Sequence, residues 1–138
     1  MKVRNIDLLN CNNVLNKYAE KHLPQKISFA ITKNIITISK EIEPYKKSLS
    51  KVIEAYEDFF VKDDNGEIVM MSVGIPEVDT DHIDDYLKDV DDLLNIEIDV
   101  ELYFIEDSAF DYEDSDRYDA MSAIDIMALQ SVLCMKQS

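Results

Sequence analysis

The fold of the first half of the chain depends on the stretch PQKISFAITKNIITISKEIEPYKKSLSKVIEAYEDFF, residues 24–60. Its apolar residues recur at steps of three and four, which is the spacing of one face of an α-helix. Ten residues follow this seam: Ile27, Ile31, Ile35, Ile38, Ile42, Tyr45, Leu49, Val52, Tyr56 and Phe59. The seam predicts a long amphipathic helix whose opposite, solvated face carries Lys33, Lys40, Lys47 and Lys51.

Two prolines mark the limits of this helix. Pro24 suits its first turn, because the N–H that proline lacks has no intrahelical partner there. Pro44 falls in the interior, where a proline removes one hydrogen bond and clashes with the preceding turn at about 3 kcal/mol. We therefore predict a kink or a break near Glu43.

A shorter helix is predicted upstream. After an extended start, Asn5 or Asp7 can cap a helix that ends near Leu23. The two helices then form a hairpin with one long arm. As an alternative, the seam over residues 27–59 packs against a second subunit as a coiled coil, which would make the protein a homo-oligomer.

The second half contains signals for strands. Asn65-Gly66 is a tight-turn dipeptide, and the apolar run 68–73 after it predicts a strand or one arm of a hairpin. NIEIDVELYFI, residues 95–105, alternates apolar and polar residues with period two and predicts a second strand. The predicted fold class is α+β: a long helical hairpin packed on a small, largely antiparallel sheet of about three strands, with two further short helices.

Each of those two helices has a cap and an apolar face. The first begins at Asp79, Thr80 or Asp81, and Ser122 caps the second. The first is predicted to bury Ile83, Leu87, Val90 and Leu94 and to expose the acidic residues Asp84, Asp85, Asp89, Asp91 and Asp92. The second is predicted to bury Ile124, Met127, Ala128, Val132 and Met135.

Composition indicates a single domain over residues 1–138, with a helical part at 1–62 and an α+β part at 63–138. Charge divides the chain at the same point. Residues 1–62 hold eleven Lys or Arg and seven Asp or Glu, whereas residues 63–138 hold three and 22, giving about +4 and −19. Such a field repels nucleic-acid phosphate and anionic lipid and attracts basic proteins. We therefore expect no direct nucleic-acid partner and no membrane partner.

Motifs for catalysis are sparse. Cys11 and Cys134 are predicted to be reduced thiols, because intracellular thiols are usually reduced. Neither predicts a metal site, because no second ligand lies at a chelating spacing from either. His82 with Asp79 and Asp85 could form a transition-metal site, although aspartates at a helix start are common as caps. We predict a protein that is not an enzyme and has no cofactor and no metal; an acid-rich, metal-dependent hydrolase is the alternative. With no apolar run of membrane-spanning length and an early Asp7, the expected compartment is a cytoplasm.

The acidic stretch EDSAFDYEDSDRYD, residues 106–119, combines seven carboxylates with three aromatic rings. Aromatic anchors and charge are typical of interface hot spots, so this stretch and the acidic helix are the predicted partner-binding site. Its residues are Glu106, Asp107, Phe110, Asp111, Tyr112, Glu113, Asp114, Asp116 and Tyr118, together with Asp84, Asp85 and Asp89.

Five segments in order carry a resemblance to a family: KVRNIDLLNCNNVLNKYAEKHLPQKISFAITKNI (2–35), EIEPYKKSLSKVIEAYEDFF (41–60), DDNGE (63–67), LLNIEIDVELYFI (93–105) and MSAIDIMALQSVL (121–133). The pattern resembles small uncharacterised phage and prophage proteins of low-GC Gram-positive bacteria. The resemblance carries no functional residues. It implies a phage protein in the host cytoplasm. Together with the carboxylates and aromatic rings of residues 106–119, this origin leads us to predict an inhibitor that covers the basic nucleic-acid or nucleotide site of a host antiviral defence protein. The alternative is a virion morphogenesis factor, such as a tail-assembly chaperone or structural oligomer.

Overall fold

The computed structural model describes residues 1–112 and 118–134, which adopt an α+β fold as predicted. These residues form five α-helices: α1 (Asn5–Tyr18), α2 (Gln25–Glu41), α3 (Glu43–Ala55), α4 (Ile83–Leu94) and α5 (Ala123–Leu133). They also form one antiparallel sheet of β1 (Lys2–Arg4) and β2 (Glu97–Asp99), and two short 3₁₀ helices, Glu57–Phe59 and Asp107–Phe110.

The seam of residues 27–59 forms two helices, because it breaks at Ile42. The Ile42 N–H still donates to the carbonyl oxygen of Ile38 at 2.9 Å, and α3 begins at the next residue. Pro44 consequently lies in the first turn of α3, where its missing N–H is not needed. The break predicted near Glu43 is confirmed, and the single long arm of the hairpin is corrected to two helices.

The chain divides into two units at this break. Unit 1 comprises Met1–Ile42 and Glu97–Ser138, and unit 2 comprises Glu43–Ile96. The first boundary between the units thus lies at the helix break after α2. The predicted boundary at residue 62 instead marks the point where the charge of the sequence changes sign.

Unit 1 contains a core of aliphatic side chains. α1 packs on α2 as the short part of the predicted hairpin, and α5 packs on α1. The most deeply buried apolar side chains of this core come from these three helices: Leu8, Leu15, Ile27, Ile38, Leu129 and Leu133. Of the seam residues of α2, Ile27, Ile31 and Ile38 are therefore buried within unit 1, and the partly buried Ile35 packs against the same core.

The sheet is smaller than predicted. β1 pairs with β2 in the register Lys2↔Asp99, and β1 is only three residues long. The Val100 N–H still donates to the Met1 carbonyl oxygen at 2.9 Å, where the N-terminal segment ends. Residues 103–105 bond elsewhere: Asn34 exchanges two hydrogen bonds with the backbone of Tyr103, and the Ile105 N–H donates to Leu133. The strand predicted over residues 95–105 is therefore confined to Glu97–Asp99.

The strand predicted at residues 68–73 is replaced by isolated bridges. Ile68 bridges Lys62, and Met70 bridges Pro76, without forming a continuous ladder. Ile68, Met70 and Val73 are exposed, because no neighbouring sheet covers them. The described residues accordingly contain two strands, and the predicted three are corrected to two.

Unit 2 contains a smaller core, formed where α4 packs on α3. Tyr86 is its most buried side chain, and its hydroxyl donates to the carbonyl oxygen of Pro76 at 2.9 Å. Leu87, predicted to be buried, is instead 37% exposed. Val90 is buried as predicted, and Ile83 and Leu94 pack against this core. At the remaining position Tyr86 is buried in place of Leu87, because tyrosine can be buried when its hydroxyl has a partner.

α5 begins at Ser122 as predicted, with the Ser122 hydroxyl accepting from the Asp125 N–H at 3.1 Å. Its predicted apolar stripe is largely wrong. Ile124 and Met127 are 77% and 68% exposed, Val132 is buried as expected, and the core positions are Leu129 and Leu133. Met135 lies outside the described residues. Because α5 is apolar on nearly every side, its sequence does not determine which face is buried. None of the described helices is long and apolar enough to cross a membrane.

Candidate functional site

The start of α4 is held in place by a loop carboxylate. Asp79 Oδ1 accepts a hydrogen bond from the His82 N–H at 3.1 Å and lies 2.6 Å from His82 Nδ1. The His82 ring stacks on Phe59, with 3.6 Å between centroids and 11° between planes. His82 therefore fixes the N-terminus of α4. In the described part of the chain, no group of three His, Cys, Asp or Glu side chains is placed to hold a metal ion, so Asp85 does not complete the metal site considered above.

The acidic face predicted on α4 is exposed along its whole length. All five aspartates of this face are exposed: Asp84, Asp85, Asp89, Asp91 and Asp92. Two of them have partners: the Tyr56 hydroxyl donates to Asp89 at 3.0 Å, and Lys88 Nζ donates to Asp92 at 2.9 Å. We call these five residues the α4 acidic face.

Three carboxylates of the α4 acidic face have no partner within the described residues. Asp84, Asp85 and Asp91 make neither a hydrogen bond nor an ion pair through their side chains there. Unit 2 as a whole contains five Lys against 15 Asp or Glu, a net charge of −10. The three carboxylates are therefore available to cations of another molecule, and the field around them favours such an encounter.

The carboxylates on α4 are about as dense as phosphates on nucleic acid. Asp84 and Asp92 are eight residues apart, which corresponds to about 12 Å along the helix axis. Five carboxylates lie within that length and one of them is paired with Lys88, which leaves a net of four negative charges. This is about one charge per 3 to 4 Å, whereas one strand of duplex DNA carries one phosphate per about 3.4 Å. The helix can thus present a phosphate-like row of negative charge on a rigid support.

The predicted residues of the 106–119 stretch lie in unit 1, apart from the α4 acidic face in sequence and in unit. Glu106, Asp107 and Asp111 are exposed around the second 3₁₀ helix. Phe110, predicted as an anchor for a partner, is instead buried in the core of unit 1. An aromatic residue beside three acids fills the nearest apolar space, so the charge pattern alone does not predict its exposure. Glu113, Asp114 and Asp116 lie outside the described residues.

The end of this stretch is attached to unit 1 by hydrogen bonds. The Asp119 N–H donates to the His22 carbonyl oxygen at 2.7 Å, and the His22 N–H donates to Asp119 Oδ2 at 2.8 Å. The Tyr112 and Tyr118 rings meet edge to face at 5.7 Å, and the Tyr112 hydroxyl donates to the Asp119 carbonyl oxygen at 3.3 Å. These two tyrosines therefore contact each other, and Tyr112 also contacts the backbone of Asp119.

A cleft of about 720 Å³ in unit 1 is lined by Lys26, residues 103–109 and Cys134. Burial, together with the nearby Asp107 carboxylate, raises the pKa of Cys134 to about 11. The thiol is therefore protonated near neutral pH, whereas nucleophilic catalysis by cysteine requires the thiolate. The cleft offers space and one cation but no activated nucleophile among these residues.

A set of residues that the sequence reading did not single out lies on the exposed face of α2. Phe29 and Ile36 are 56% and 54% exposed, on the side opposite the buried seam. The sequence signal was present, since apolar residues between lysines on a predicted solvated face are unusual. No protein-family model, curated protein or solved structure matches this chain.

Proposed function

We propose that this chain is a non-enzymatic phage accessory protein that binds a basic surface of a host protein through the α4 acidic face. The observation that carries the proposal is the row of five exposed aspartates on one helix of a unit with a net charge of −10. Electrostatic complementarity of this kind accelerates association with a basic partner and opposes association with acidic ones.

The partner class proposed is a bacterial antiviral defence protein with a basic nucleic-acid or nucleotide site. The charge spacing on α4 supports this choice, because a groove that binds phosphates can accept carboxylates at a similar density. The resemblance to phage proteins supports a host target in the host cytoplasm. The 106–119 stretch supports the proposal less than the helix does, because Phe110 is buried.

The alternative of a structural oligomer through residues 27–59 has lost its main support. Ile31 and Ile38 on this seam are buried within unit 1, and Leu49 and Val52 pack against the core of unit 2. Another subunit would have to displace these contacts.

The experiment that tests the proposal compares two variants with the same change in net charge. The first replaces Asp84, Asp85 and Asp91 by Asn, and the control replaces the exposed acids Glu20, Glu54 and Glu101 by Gln. Each immobilised protein is exposed to host lysate, and the retained proteins are identified and then challenged with free duplex DNA.

The proposal expects retained nucleic-acid-binding or nucleotide-binding proteins that DNA displaces. It also expects the Asn variant to lose them at about 0.15 M salt while the Gln control keeps them. Equal retention by the wild type and the Asn variant would refute docking through the α4 acidic face. Circular dichroism of both variants checks that each is folded.

A further inference from the structure

α2 carries a second stripe on the face opposite its buried seam. Its members follow steps of three, four, three and four residues and alternate a lysine with an apolar side chain. All five are exposed: Lys26, Phe29, Lys33, Ile36 and Lys40. We call them the α2 basic stripe.

Tyr103 extends this stripe on the surface of unit 1. Its ring lies 5.4 Å from that of Phe29, at 81° between planes. Lys33 Nζ lies 6.0 Å from the Phe29 centroid and 5.9 Å from the Tyr103 centroid, which is within the range of cation–π attraction. A protein with a net charge of −15 therefore presents one ordered patch that is basic and apolar together.

α4 carries the complementary pattern. Asp84, Leu87 and Asp91 follow steps of three and four residues, as Lys33, Ile36 and Lys40 do. Each set spans about 10 Å along its helix axis, so two acids can face two lysines while one apolar side chain meets another. Leu87 is 37% exposed, which leaves an apolar contact point between the two carboxylates.

We infer that the α2 basic stripe of one copy of this chain docks on the α4 acidic face of a second copy. The contact joins two different surfaces, so each copy brings one stripe and one acidic face to the assembly. The inference goes beyond the proposed function, because the occupant is a second copy, and it makes self-association and host-protein binding compete for α4.

Charge and apolar content both favour this occupant. The stripe needs a partner with acids on either side of an exposed apolar residue, and α4 supplies that arrangement on a helix. Single-stranded nucleic acid also binds patches of lysine and aromatic rings. The net charge of −15 opposes a second copy and a polyanion alike, so the choice of a second copy depends on the matched spacing of acids and Leu87 on α4, and nucleic acid is the competing outcome of the test.

The test uses two charge-reversal variants. Each variant alone should lose self-association, and a mixture of the two should regain it. Variant one carries Lys33→Glu and Lys40→Glu, and variant two carries Asp84→Lys and Asp91→Lys. Sedimentation velocity at about 0.15 M salt follows association, because this salt screens long-range repulsion between copies but leaves contact pairs effective. The control, Lys47→Glu with Lys51→Glu, makes the same charge change on exposed residues of α3.

We expect the wild type and the control to associate and each reversal to weaken association about tenfold or more. A mixture of variants one and two should associate again, because each reversed surface finds an opposite one. A monomeric wild type at millimolar concentration overturns the inference, as does a monomeric mixture of two folded variants. Binding of oligo-dT by the wild type that variant one loses, measured by fluorescence anisotropy, likewise overturns it in favour of nucleic acid. Variant one leaves the α4 acidic face unchanged, so its loss of self-association with retained host-protein capture leaves the proposed function standing.

Discussion

The two units differ in what their residues do. Unit 1 buries aliphatic side chains from three helices almost completely, whereas the core of unit 2 has four buried residues, Ile75, Val78, Tyr86 and Val90. Unit 2 in turn carries −10 of the net charge of −15. Burial supplies most of the stability of a fold, and exposed charge supplies steering of partners. Unit 1 therefore contains most of the buried apolar surface, and we predict that it contributes most of the stability, while the proposed partner-binding face lies on unit 2.

The largest expected effect tests the core of unit 1. Leu15→Ala removes a side chain that is 0% exposed, and it should lower the free energy of unfolding by about 3 kcal/mol through lost burial and the cavity left behind. Urea unfolding followed by circular dichroism measures the loss. The matched change in unit 2, Leu87→Ala, should cost less than about 1 kcal/mol, because that side chain is partly exposed already. If both substitutions lowered the free energy of unfolding equally, the prediction that unit 1 contributes most of the stability would be wrong.

The second effect tests the buried polar group of unit 1. Asn34 is 1% exposed and exchanges hydrogen bonds of 2.8 and 2.7 Å with the backbone of Tyr103. Asn34→Ala should cost about 2 kcal/mol, because it leaves a buried N–H and a buried carbonyl without partners. The exposed Asn13→Ala is the control and should change the urea midpoint little. A cost for Asn34→Ala as small as that of the control would mean that water replaces both bonds.

The third effect is a dependence on pH that arises where α1 meets α5. The Tyr18 hydroxyl donates to Asp125, which raises the pKa of Tyr18 to about 12 and lowers the pKa of Asp125. A carboxyl with a lowered pKa in the folded state stabilises above its unfolded pKa of about 3.9, and this contribution is lost as pH falls through the folded pKa. The stability difference between wild type and Tyr18→Phe should therefore shrink from pH 7 toward pH 3.

Urea unfolding at several pH values measures that difference, which we expect to be smaller than the effect of Asn34→Ala. Tyr45→Phe is the control, because burial alone raises the pKa of Tyr45. A difference for Tyr18→Phe that persists unchanged in acid would show that Asp125 does not contribute through its charge.

The smallest effect sharpens the comparison within α4. Asp91 lies in the last turn, where the helix dipole disfavours an acid, so Asp91→Asn should stabilise by about 0.3 kcal/mol. Asp84 lies in the first turn, where the dipole favours an acid, so Asp84→Asn should destabilise by about the same amount. Thermal unfolding measures both changes. Both substitutions remove a negative charge and should therefore weaken docking on the α4 acidic face. If docking weakened only where stability fell, the charge of this face would not be what the partner recognises.

Sequence predicted the helices better than the strands and faces. Caps and the proline at residue 44 are local signals, so the break near Glu43 and the start of α5 at Ser122 could be placed. The strand over residues 95–105 depended on a partner that the three-residue β1 does not provide. The buried face of α5 depended on neighbours, because the helix is apolar on nearly every side. The length of the strand that pairs with β2 and the buried face of α5 both depend on tertiary contacts. The periodicity of the sequence carries no information about such contacts.

The same distinction applies to the candidate site. The acidic face of α4 was predictable, because five aspartates on an amphipathic helix have nowhere else to lie than in solvent. Phe110 was misjudged, since its neighbours in sequence are acidic while its neighbours in space are apolar. Leu87 fits the apolar spacing of α4, but Tyr86 is the residue buried there, because its hydroxyl donates to the Pro76 carbonyl oxygen.

The helix break at Ile42 also has a consequence for the order in which the protein is made. Unit 1 is discontinuous, with its second part beginning at Glu97, whereas unit 2 is one uninterrupted segment. During synthesis, all residues of unit 2 leave the ribosome before β2 and α5 are made. The core of unit 1 is therefore incomplete at that stage, because α1 and α2 lack these partners. The unit that begins second can therefore be completed first, and the acidic face is displayed before the more stable unit has closed.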